Sequence, residues 1–108
     1  RQHAGIEIDD ERDLISDEGA VVYGALRARG IDHVLLMGVH TNMCVLHRTF
    51  AIKAMAKRGI HMILIRDLTD SMYNPARPPY VDHDEGTRLV VGYVEKFWGA
   101  SIDSADLL

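Results

Sequence analysis

The chain has a single cysteine, Cys44. It cannot close an internal disulfide, and a lone thiol is what a reducing cytoplasm would predict. Long apolar runs are missing too. No stretch approaches the ~20 residues that a membrane-spanning helix needs, and no charged-then-apolar signal pattern opens the sequence. No basic cluster is present, and the net charge is −4. Neither nucleic acid nor a membrane is therefore expected as a partner. The 6 histidines show no compact ligand spacing, and the acidic stretch Asp9, Asp10, Glu11, Asp13 lacks the glycine and spacing of a calcium loop. No metal or cofactor is expected. There is no internal repeat and no low-complexity tract. What remains is 108 residues, 47% apolar and 26% charged, the balance of one small globular domain.

One stretch organises the rest: Val34-Leu35-Leu36-Met37-Gly38-Val39-His40-Thr41-Asn42-Met43-Cys44-Val45. Residues 34–37 fit a strand buried on both faces, as in a parallel sheet. The run stops at Gly38 and turns through small polar residues. Thr41 and Asn42 are good N-cap types for a following helix. From Cys44 on, His47, Ala51, Ala54 and Met55 recur at helical spacing to about Arg58, where Gly59 stops the pattern. A cysteine at a helix start meets unpaired N–H groups and a positive partial charge, which favour the nucleophilic thiolate. The same N–H groups suit an oxyanion. Packing as a small apolar residue is the other reading of Cys44.

Around this stretch the chain reads as alternating elements. Ser16 caps a helix to about Arg29, stopped by Gly30. A strand spans 31–37, the Cys44 helix follows, and 60–65 form a second strand. A third is expected near 101–103. In such βαβ units, ligands bind beyond the carboxyl ends of the strands, where Cys44 and Asp67 both fall. Residues 67–83 have no helical or strand period and contain all 3 prolines, which suits a pocket wall or a subunit contact. A last helix over 84–98 carries Leu89, Val90, Tyr93, Val94, Phe97 and Trp98 as a broad core stripe.

The string Gly38-Val39-His40-Thr41-Asn42-Met43-Cys44-Val45 resembles the signature of the isochorismatase-like cysteine hydrolases, a superfamily with nicotinamidases and N-carbamoylsarcosine amidohydrolases among its members. The resemblance runs from about Ser16 onward and covers the second half of a typical member. It implies the C-terminal half of a doubly wound, Rossmann-like α/β fold, a parallel sheet of about six strands with helices on both faces. Residues 1–108 would then be one partial domain. Its first half would cover the edge of the strand at 34–37, which is otherwise left open to association. A homo-oligomer is expected.

Carried over residue by residue, the resemblance makes Cys44 the nucleophile and His40 and Cys44 the backbone oxyanion donors. It also implies a non-proline cis bond between Val39 and His40. Thr41, Asn42, Asp67 and Tyr73 are candidate pocket residues, and a small molecule is the implied substrate. The superfamily's aspartate base and lysine have no counterpart here. Lys53, Lys57 and Lys96 all follow Cys44. Arg1 or Arg12 could stabilise charge in the lysine's place, but arginine would not shuttle protons. Relatives that cleave the vinyl ether of isochorismate typically lack the cysteine, so the resemblance implies hydrolysis of a C–N bond through a thioester. Two other readings stay open. One is an inactive relative kept for assembly. The other is a flavodoxin-like binding module, for which His40-Thr41-Asn42-Met43 offers no glycine-rich phosphate cradle.

Overall fold

The apolar runs become three parallel strands in the computed structural model, which describes residues 2–108; Arg1 lies outside them. β1 (His33–Leu36) and β3 (Ala100–Ile102) flank β2 (His61–Ile65), in the order β1-β2-β3. Val34 stands beside Met62 and Leu36 beside Leu64. With side chains alternating across the sheet, these four share one face. That face meets Val45, Leu46, Ile52, Met55, Val91 and Val94 to form the core. Parallel strands added in one direction by crossovers of one hand receive their helices on the same side. The other face of β1 is consequently bare: Leu35 is 48% exposed, and beyond the strand Met37 and Val39 are exposed too. Burial of this strand on both faces is not met within the described residues. No helix among them is long and apolar enough to cross a membrane.

Helix ends follow glycine where a left-handed residue is required. α1 (Gly19–Ala28) closes with Gly30 at φ 67°, whose N–H bonds to Arg27 while that of Ile31 bonds to Leu26. Gly59 at φ 87° ends α3 (Ile52–Lys57) in the same way.

Three sequence expectations about the helices need correction. Ser16 does not cap α1. The N-cap is Glu18, Ser16 Oγ accepts from the Glu18 N–H, and the Gly19 N–H donates to Thr49 Oγ1 at 3.1 Å. The cap is therefore supplied from 30 residues away. The long helix expected from Cys44 is broken into α2 (Cys44–His47) and α3, because Arg48 turns to extended backbone at ψ 158° and presents Thr49 to α1. In α4 (His83–Phe97), Val91 and Val94 are buried, while Leu89, Tyr93 and Phe97 are exposed. The expected stripe thus included three exposed residues and left out Val91, one of the two that are buried. Asp82 caps α4, its carboxylate accepting from the Glu85 N–H at 2.7 Å.

Candidate active site

Beyond β1 the chain stays paired with the segment leaving β2. The Asp70 N–H donates to Val39 O at 2.9 Å and the Thr41 N–H to Asp70 O at 2.8 Å, a parallel bridge between His40 and Asp70. Thr41 is fully buried, its hydroxyl 2.7 Å from that of Thr69. The Asn42 amide group donates to Met72 O and accepts from Met72 N–H, at 3.1 and 2.8 Å. Neither residue caps the Cys44 helix as its type suggested, because the 69–72 segment takes both side chains.

The turn then closes on His40. Its carbonyl accepts from the N–H groups of Met43 and Val45 at 3.1 and 3.2 Å. Val45 and Leu46 are buried and pin the single turn of α2 to the core, leaving the Cys44 thiol exposed. Gly38 permits this fold-back, since a Cβ there would lie 2.8 Å from Val45 Cγ2. Among the described residues, the N–H groups of His40 and Cys44 have no hydrogen-bond acceptor within the chain. An accessible thiol and two free amide donors thus occupy one short turn at the carboxyl edge of the sheet.

The Val39–His40 bond is trans, contrary to expectation; the cis bond among the described residues joins Pro78 and Pro79. Val39 and Thr41 bond to the backbone of Asp70 on either side of His40, so the segment is paired there as a single parallel bridge. The four candidate pocket residues do not share one cavity. Asn42 and Tyr73 line a cleft of about 420 Å³ walled by the proline-rich loop, while Asp67 lines another of about 770 Å³ beside α4. Thr41 lines neither. Asp67 accepts from the Ser104 N–H and hydroxyl, which hold its carboxyl below the usual range. Arg12 is paired with Asp9 on the surface, 2.6 Å apart.

Residues not singled out by sequence sit behind the turn. Asp70 accepts from Thr87 Oγ1 at 3.2 Å and lies 3.0 Å from His83 Nδ1. His83 stacks on Tyr73, and its Nε2 lies 3.1 Å from the Tyr73 carbonyl. No periodic signal links residues 70 and 83 across an irregular loop. No group of three or more potential metal ligands occurs among the described residues.

Comparison with known proteins places this arrangement. Residues 20–78, more than half of the chain, match the isochorismatase domain. The chain belongs to the isochorismatase domain family. The matched segment of this isochorismatase domain contains the whole turn from Gly38 to Val45 and the Asp70 bridge. A solved structure similar to it is that of a cysteine hydrolase from Pseudomonas syringae pv. phaseolicola. The TM-score is 0.66 at 22% identity, over 80% of this chain and 39% of that one. The isochorismatase domain described here thus spans well under half of that neighbour's length, and the likeness establishes a shared α/β fold. No curated protein sequence matches the chain.

Proposed function

We propose that Cys44 is the nucleophile of a hydrolase that cleaves a C–N bond in a small amide-type substrate. The observation that carries this reading is the turn itself, which holds an exposed thiol and, within the same few residues, two backbone N–H groups that have no acceptor within the described chain. The thiolate attacks the carbonyl carbon and forms a C–S bond, pushing the carbonyl π electrons onto oxygen. The N–H groups of His40 and Cys44 hold that oxyanion. Its collapse breaks the C–N bond, and the amine leaves with a proton. Water then attacks the thioester, releasing a carboxylic acid and restoring the thiol. The Pseudomonas neighbour is a cysteine hydrolase, which supports the same chemistry here.

In this reading the aspartate base and the lysine that the resemblance implies are supplied from outside these residues: no lysine precedes Cys44, and Arg12 is engaged by Asp9. A reducing, cytoplasmic setting suits the free thiol. The test is Cys44→Ser in the full protein, screened against a panel of small primary amides and carbamoyl compounds. Loss of amine release with an unchanged circular dichroism spectrum is the expected result. Undiminished turnover in the variant would refute the assignment. A second reading, a non-catalytic member serving in assembly, draws on the exposed row Leu35, Met37 and Val39 along β1. It predicts no turnover from either protein.

A further inference from the structure

His83 faces an acceptor on each side. Its Nδ1 lies 3.0 Å from both Asp70 carboxylate oxygens, and its Nε2 lies 3.1 Å from the Tyr73 carbonyl oxygen. Neutral imidazole carries one N–H and can satisfy only one of them. The imidazolium donates to both. Asp70 is in turn tied through its backbone to Val39 and Thr41, the residues flanking His40. A continuous path therefore runs from the first residue of α4, through Asp70, to the turn that carries Cys44.

We propose that His83, as the imidazolium, is a positioning residue for the Cys44 turn: it clamps Asp70 and Tyr73 so that the His40–Asp70 bridge is held. This rests on the reading of Cys44 as the reacting group, and goes beyond it by naming what sets that group's frame. His83 touches neither Cys44 nor the proposed oxyanion donors, so its action is indirect.

The charged surroundings agree with the geometry. Asp70 and the Tyr73 phenol face His83 from the loop, and Asp82 and Asp84 stand beside it at the start of α4. Across the same cleft, Arg66 at the end of β2 is engaged by Asp103, and Asp67 by Ser104. Arg88, one turn further along α4, is paired with Glu85. The Asp70 hydrogen bond raises the His83 pKa above its ordinary value, and burial opposes this only in part. The clamp is therefore complete at low pH and is lost as pH rises through the folded-state pKa of His83.

The test follows two signals in the full protein by NMR: the His83 ring nitrogens and the backbone amides of His40 and Thr41. The amides are expected to titrate with the midpoint of the His83 ring, and His83→Gln is expected to abolish that titration. The pH profile of Cys44 alkylation by iodoacetamide should lose its inflection at the same midpoint in His83→Gln. Cys44→Ser separates the two ideas, since it removes the proposed chemistry and leaves the coupled titration intact. Amides of His40 and Thr41 that stay flat while the wild-type His83 ring titrates would overturn the proposal, whether or not the variant folds. Persistence of the titration in His83→Gln would overturn it equally.

Discussion

Gly19→Ala and Gly24→Ala add the same methyl to the same helix and should change stability in opposite directions. Gly24 is in the middle of α1, and a Cβ there has nothing within 4 Å. Alanine at this position gains about 1 kcal/mol of helix propensity. At Gly19 an ideal Cβ would lie 2.2 Å from the Thr49 carbonyl oxygen and 2.6 Å from its carbon, where ordinary contact begins at 3.4 Å. The obstruction is backbone, so no rotamer change relieves it. The start of α1 must move away from residue 49 and lose the bond from the Gly19 N–H to Thr49 Oγ1. Overpacking costs about 1–3 kcal/mol and the lost cap about 1 kcal/mol more. The propensity gain offsets at most about 1 kcal/mol of this, which leaves a net loss of about 1–3 kcal/mol. Thermal unfolding followed by far-ultraviolet circular dichroism should show Gly24→Ala melting about 4 °C higher, and Gly19→Ala about 4–12 °C lower. A Gly19→Ala protein as stable as the parent would show that α1 does not rest on the Thr49 carbonyl. The break between α2 and α3 would then need another cause.

Two further outcomes follow from the buried contacts around the site. Thr41→Val keeps the side-chain shape but leaves the Thr69 hydroxyl without its partner at 2.7 Å, and should cost about 1–3 kcal/mol in urea unfolding. An unchanged midpoint would mean that the pair contributes nothing to holding the turn. Ser104→Ala removes the hydroxyl bond that is the main reason the Asp67 carboxyl is held low. A depressed folded-state pKa contributes stability above the unfolded value near 4 that is lost as pH falls. The variant should therefore begin acid unfolding at a higher pH than the parent, and superimposable acid titrations would refute this.

Local chemistry made much of this domain legible before any coordinates. Gly30 and Gly59 end helices because only glycine takes the left-handed backbone without penalty, and both positions proved to be such stops. The apolar runs around Val34 and Ile63 became neighbouring parallel strands, with Cys44 and Asp67 following their carboxyl ends. The family was suggested by the resemblance of the Gly38–Val45 string to a known signature, and the match over residues 20–78 bears it out.

What the sequence could not determine depended on partners distant along the chain. Thr41 and Asn42 have the right side chains to cap a helix, and the same oxygens serve Thr69 and Met72 instead once β2 brings residues 69–72 alongside. Thr49 is a mediocre helix residue in isolation, but packed against Gly19 it becomes the cap of another helix and splits its own. Leu89 and Phe97 carry the period of a core stripe, yet both are exposed and the buried residues of α4 are Val91 and Val94. Asp70 and His83 lie 13 residues apart with no repeating pattern between them, and only the tertiary structure sets them 3.0 Å from each other. Sequence alone determined where the chain turns and where the thiol emerges, because backbone sterics and apolar periodicity are local. Tertiary structure decided which polar group each side chain satisfies, because a buried donor bonds to whatever acceptor the fold brings within reach.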